Sequence, residues 1–379
     1  MQIHVVESGE SVDSIAVRYR VPSATIIYAN QLVYPYRLTI GQALLIQDDT
    51  QQNIEKPLLI TNGYAYPFIS PWVLEETLPY LSELSIFSYG FNTEGELIPP
   101  ILDDTWMIAA AWGNRTKPIL TLTPFGSDGQ FNNYLVSVVS NNMEAQQNLI
   151  AQLLATVREK GYAGVDIDFE FILAADREAF AEFVSNVTSA MNPEGYQVSV
   201  ALAPKTSANQ PGLLYEGKDY ALLGAAANHV LLMTYEWGYT FGPAMAVAPI
   251  NKVREVVEYA VTEIPVEKIN LGIPNYGYDW TLPYERGVSM ARTIGNIEAV
   301  QIAIANGVPI QFDETAMSPF FNYTQNGVLH EVWFEDVRSL QAKFDLVKEF
   351  GLRGVGYWQI MQLFRANWLL LADNFQIVK

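Results

Sequence analysis

The chain has 379 residues, half of them apolar and 12% aromatic, enough to bury a large core with room for a small accessory module. A net charge of −19, from 22 basic against 41 acidic residues, argues against a nucleic-acid partner, and no uninterrupted apolar run is long enough for a membrane span. With no cysteine and three scattered histidines (His4, His229 and His330), disulfides, a cysteine nucleophile and thiolate or His-rich metal sites drop out.

Residues 1–47 read as a self-contained βααβ unit. The strand Ile3–Val6 leads through Ser8-Gly9-Glu10 into a helix with Val12, Ile15, Ala16 and Tyr19 at helical spacing. A second helix is expected over Ser23–Asn30, and Gly41-Gln42 opens the closing strand Ala43–Ile46. Residues 48–57 are polar and aperiodic at their start and read as a linker. No basic segment followed by an apolar run opens the chain, so export by a signal peptide is not expected.

From residue 58 to 379, eight short apolar or β-branched runs alternate with helical stretches. They are Leu58–Thr61, Leu84–Ser88, Ile119–Thr123, Gly164–Glu170, Gln197–Ala203, Val230–Tyr235, Asn270–Pro274 and Gly354–Trp358. Between them, Ile150, Leu153, Leu154 and Val157 form one helical face that Gly161 terminates, and Phe180, Phe183, Val184, Val187 and Met191 form another. The alternation predicts an α/β fold, a (β/α)8 barrel; a doubly wound open sheet is the alternative, without a glycine-rich nucleotide fingerprint to support it. The long gap before the eighth strand predicts a small α+β insertion over 281–335, with a hairpin of Pro319–Tyr323 and Val328–Phe334 around Asn326-Gly327. Segments inserted there lie at the C-terminal face of a barrel, where active sites are built.

The most informative segment is Gly164–Glu170. Val165, Ile167 and Phe169 alternate with Asp166, Asp168 and Glu170, so the apolar three face the helices and the three acids face the barrel interior. No G-x-S-x-G elbow is present, so proton transfer falls to carboxylates. Crowding three acids in a low-dielectric interior raises at least one pKa, which is what a general acid needs, and Glu170 stands nearest the mouth. A divalent-metal site or a structural acidic network are the other readings of the same strand.

These residues carry two resemblances. His4-Val5-Val6-Glu7-Ser8-Gly9-Glu10-Ser11, Ile15-Ala16, Ala29-Asn30 and Ile40–Ile46 resemble a LysM domain, which implies binding of N-acetylglucosamine-containing glycans. Gly164–Glu170 resembles the family 18 glycoside hydrolase signature Asp-x-Asp-x-Glu, with Ala163 where a further Asp often stands. Met233-Thr234-Tyr235-Glu236-Trp237, Gly272–Trp280, Val332–Asp336 and Gly354–Trp358 continue the resemblance in order. With a LysM domain in front, the chain resembles the YaaH/SleL group of spore-cortex N-acetylglucosaminidases.

The resemblance implies substrate-assisted retaining hydrolysis, in which the sugar's own 2-acetamido oxygen is the nucleophile. It makes Glu170 the proton donor, Asp168 the group that orients the acetamido N–H, Asp166 the support of Asp168, and Tyr235 the donor to the acetamido carbonyl. Trp358 is the expected floor of the sugar site and Met233 is expected to shape the pocket. Tyr64, Glu236, Trp237, Asn275, Tyr278 and Trp333 are further cleft candidates. No cofactor and no metal are implied. The implied partner is peptidoglycan or a chitin-type glycan, the protein is expected to be a monomer, and the implied setting is the spore coat or cortex. A chitinase, an endo-N-acetylglucosaminidase and a non-catalytic glycan binder are the competing functions.

Overall fold

A computed structural model describes residues 1–47, 55–125 and 132–379. Of the expected linker, residues 48–54 lie outside the described residues. The eight expected runs form a closed parallel barrel: β1 (Leu58–Ala65), β2 (Glu83–Phe91), β3 (Lys117–Leu122), β4 (Gly164–Ile167), β5 (Gln197–Leu202), β6 (His229–Leu232), β7 (Ile269–Pro274) and β8 (Gly354–Trp358). Each strand pairs with its sequence neighbour, and β8 pairs with β1 to close the ring.

The helices that wrap the barrel follow from their sequences. Met143–Lys160 begins at Asn142, whose side chain accepts from the Glu144 and Ala145 N–H groups, and stops at Gly161 in the left-handed region (φ 79°). It buries Leu149, Leu153 and Val157, while Arg177–Met191 buries Phe180, Phe183, Val184, Val187 and Met191. Phe169 stacks between Phe91, Phe180 and Phe183, so the outward parity of β4 continues into the layer between sheet and helices. Among the described residues, no helix is long and apolar enough to cross a membrane.

After β7 the chain builds a five-stranded antiparallel sheet with the helix Asn296–Asn306 against it. Its first strand, Gly277–Leu282, starts before the Thr281 expected from sequence, because the strand leaves the barrel almost directly from Pro274. The hairpin Ser318–Gln325 and Val328–Trp333 turns at Asn326-Gly327, both at positive φ (51° and 79°), the geometry of a type I′ turn.

The N-terminal module pairs Gln2–Val5 antiparallel with Ala43–Ile46 around the helices Val12–Tyr19 and Ser23–Ala29. Leu44 and Ile46 join its own core with Ile15 and Ile26, while Leu45, of opposite parity, is fully buried in the main core. The insertion meets it too: Ile310 N–H donates to Ile40 O (2.8 Å) and Thr39 Oγ1 to Val308 O (2.7 Å). Gly41 (φ 81°) allows this approach, since a Cβ there would lie 1.8 Å from Ile310 O.

Candidate active site

The C-terminal mouth of the barrel gathers the acids. Regular pairing of β4 ends at Ile167, short of the expected Glu170, yet Asp168 N–H still donates to Leu122 O on β3 (2.9 Å). The segment thereby keeps the pleat through Asp168 and releases Glu170 at the opening. Likewise β6 ends at Leu232 rather than Tyr235. Tight turns follow, with Thr234 N–H donating to Leu232 O (2.8 Å) and Tyr235 N–H to Met233 O (2.9 Å), and they aim the Tyr235 ring inward. Gly272 on β7 makes room for that ring: a Cβ there would lie 2.8 Å from Tyr235 Cε1.

The three acids have different surroundings. Asp166 is buried and accepts from Ser199 Oγ (2.5 Å) and Tyr64 OH (2.8 Å). Burial raises its pKa and the two hydroxyls work against that rise. Asp168 is buried with no hydrogen-bond partner for Oδ1 among the described residues, and burial, then Glu170 and Asp166, hold it well above the ordinary carboxyl range. Glu170 is half-buried, and loss of water raises its pKa too. Tyr235 is buried, and its hydroxyl is held far up by burial and then by Asp168 and Glu170, so it stays a neutral donor.

Ala163 bears on this row less than the sequence suggested. Position 163 is out of phase with the three acids. The in-phase position below Asp166 is Gly164, where a Cβ would lie 2.3 Å from Gln197 O. No side chain fits there, so the row begins at Asp166.

The other expected residues divide. Tyr64 bonds Asp166 from β1 and is buried against Trp358, which ends β8 half-buried beside Tyr64, Phe87 and Tyr66 (ring centroids 5.8, 5.1 and 6.2 Å). Glu236 (φ 68°) stands beside Tyr235 and accepts from the hydroxyls of Tyr276 and Tyr278. Met233 and Trp237 flank them, half-buried against the core. Trp333 lies opposite Tyr278 in the insertion sheet, stacked on Phe320 (4.5 Å), with its indole N–H spent on Glu331 (2.7 Å). Asn275 is the exception. Its amide donates to Gln359 O and Gln362 O (both 3.0 Å), so it ties the loop after β7 to the loop after β8 rather than offering its amide to a ligand.

Sequence reasoning missed Ser199, Tyr66, Tyr276 and Lys218. Ser199 was accessible from parity, since Val198 and Val200 beside it face outward. Tyr66, stacked on Phe68 (5.1 Å), and Tyr276 sit just past strands, where period-two reasoning stops. Lys218 reads as a surface lysine in a loop, yet it is fully buried, with its ammonium donating to Ala201 O (3.0 Å).

The parallel barrel, with raised carboxyls and a neutral tyrosine gathered at its C-terminal mouth, is that of a glycosidase. The chain belongs to the glycosyl hydrolases of family 18, whose model matches residues 108–362, and a LysM domain matches residues 4–47. It is 38% identical to the cortical fragment-lytic enzyme of Bacillus subtilis (strain 168), covering 100% of this chain and 99% of that protein. It is 34% identical to the putative sporulation-specific glycosylase YdhD of the same organism, over 100% of this chain and 89% of the relative. The crystal structure of the Bacillus megaterium QM B1551 spore cortex-lytic enzyme SleL superposes with a TM-score of 0.94 at 35% identity, covering 100% of this chain and 99% of that one.

Proposed function

We propose that the protein hydrolyses N-acetylglucosaminyl linkages in spore-cortex peptidoglycan by retaining, substrate-assisted catalysis. The observation that carries the reading is the acid row topped by Glu170, in a chain similar from end to end to enzymes named for cortex fragments. Glu170, its proton held by desolvation, protonates the glycosidic oxygen. The acetamido oxygen of the same sugar closes on the anomeric carbon, and the bond to the leaving group breaks. Glu170, now ionised, takes a proton from the water that opens the oxazolinium ring. Asp168 accepts from the acetamido N–H and balances the positive charge, while Tyr235 donates to the acetamido carbonyl. Asp166 and Tyr64 support Asp168 from below, and the Trp358 indole stacks under the pyranose. The LysM unit holds the glycan near the mouth. The enzyme works as a monomer, in the spore of an endospore-forming bacterium.

The test is product mass spectrometry on digests of cortex, vegetative peptidoglycan and chitin by the wild type and Glu170→Gln. New N-acetylglucosamine reducing ends from cortex, lost by about 10²–10⁴-fold in the variant, are expected. Undiminished cleavage by the variant refutes the role of Glu170. Cleavage confined to chitin moves the assignment to a chitinase.

A further inference from the structure

Lys218 is fully buried, yet among the described residues its ammonium makes a single hydrogen bond, to the main chain at Ala201 O (3.0 Å). An ammonium taken out of water with most of its donors unspent is costly unless nearby negative charge offsets it. Among the described residues it forms no direct ion pair, but Asp168, Glu170 and Asp166 act on it through space. On β4 and β5, Asp166 is level with Ser199 and Ile167 with Val200, so the next step up sets Asp168 alongside Ala201, the residue whose carbonyl Lys218 holds. The loop bearing Lys218 is locked there. Gly217 lies so close to the turn after Glu170 that a Cβ would be 2.2 Å from Ile172 O, and Lys205 Nζ donates to Lys218 O (2.7 Å). Asp168 Oδ1 is itself buried with no hydrogen-bond partner among the described residues.

We infer that Lys218 is the internal counter-ion of the acid row and a positioning residue for the proton donor, keeping Asp168 ionised so that the row's proton resides on Glu170. The inference rests on the catalytic reading above for its consequence, but not for its geometry. The influence runs both ways: burial lowers the Lys218 pKa to about 8, opposed by Asp168, then Glu170 and Asp166, and Lys218 lowers all three acids. The other titratable groups around the row do not replace it. Tyr64 and Tyr235 are hydroxyls held neutral, Glu236 adds negative charge beside Glu170, and Glu83 adds it below Asp166. The Asp219 carboxylate is spent on the N–H of Leu222.

The experiment is carboxyl ¹³C NMR titration of the full chain labelled at Asp and Glu side-chain carboxyls, with Asp168 and Glu170 assigned by difference from Asp168→Asn and Glu170→Gln. Lys218→Met is expected to raise the Asp168 titration by about one pH unit and that of Glu170 by less, with Lys218→Arg remaining near the wild type. The acidic limb of the kcat/KM profile on soluble cortex fragments should move up with them. A folded Lys218→Met with unmoved carboxyl titrations overturns the inference, even if its rate falls evenly at every pH. Should Lys218→Met fail to fold, the reciprocal measurement decides: Asp168→Asn must lower the Lys218 titration, followed by ¹³Cε-lysine signals, by about one unit, and no change overturns it. Either failure leaves the glycosidase reading intact, whereas shifted titrations in a chain that cuts no glycan would sink that reading and spare this one.

Discussion

The buried acid row should cost stability, and Asp168→Asn exposes that cost. Asp168 is raised well above its ordinary value of 3.8, chiefly by burial and next by Glu170 and Asp166. A carboxyl raised on folding binds its proton more tightly in the native than in the unfolded chain. Its contribution to stability is therefore full below 3.8 and is lost as pH climbs through the folded value. Each unit of rise corresponds to about 1.4 kcal/mol of cost to the charged carboxylate. Asparagine removes the charge at nearly constant shape, but it also takes from Lys218 one of three carboxylates, which offsets part of the gain. We expect the variant to be more stable than the wild type by about 1–2 kcal/mol near neutral pH, with the gap closing as the pH falls towards the unfolded value. Urea unfolding followed by tryptophan emission measures it, because all eight tryptophans lie beyond residue 57, in the barrel and its insertion and none in the N-terminal module. An Asp168→Asn protein less stable than wild type at neutral pH, or a gap independent of pH, would refute the reasoning. The same variant should lose cleavage, a trade of stability for activity at one residue.

Tyr235→Phe should lower kcat by about 10²–10³-fold with little change in KM, measured on soluble cortex fragments, since it removes the donor proposed for the acetamido carbonyl. Trp358→Ala should lower kcat/KM about tenfold or more in the same assay, through loss of the stacking floor. Asp336 caps the helix Val337–Phe350, accepting from the N–H groups of Arg338 and Ser339, so Asp336→Ala should cost about 1 kcal/mol in urea unfolding and leave kcat unchanged.

Much of the fold was legible because the barrel strands are bounded by breakers and are apolar on both faces, and because β4 breaks that rule with three acids in phase. The acids could be read for the same reason: a strand's period of two is rigid enough to assign a face to each side chain. Beyond the strand ends that logic fails. Glu236, Tyr276 and Tyr278 meet only because a left-handed residue follows the turn after β6 and the insertion strand leaves β7 at once. Asn275, a cleft candidate through the Gly272–Trp280 resemblance, spends its amide on two carbonyls of the next loop. Lys218 was illegible for a different reason. Its burial depends on a glycine contact with a turn some forty-five residues earlier in the chain (roughly, from 217 back to 172), and no local pattern encodes it.

The three acids of the barrel interior share one narrow space in three different surroundings. At the base, Glu83 accepts from Arg353 (2.9 Å), while His229, lowered to about 4 chiefly by burial, is neutral at neutral pH and brings no charge of its own. That base pair is closed on itself, so it cannot neutralise the row above. Each member of the row is then offset by different means: Asp166 by the hydroxyls of Ser199 and Tyr64, Asp168, on the inference above, by the Lys218 ammonium, and Glu170, on the proposed mechanism, by holding its proton. Different compensation is what separates the pKa values of neighbouring carboxyls and assigns one as acid and another as anion. A fourth acid in the Asp-x-Asp-x-Glu row would gain nothing here, because Gly164 leaves no space for it and the base already has its own carboxylate in Glu83.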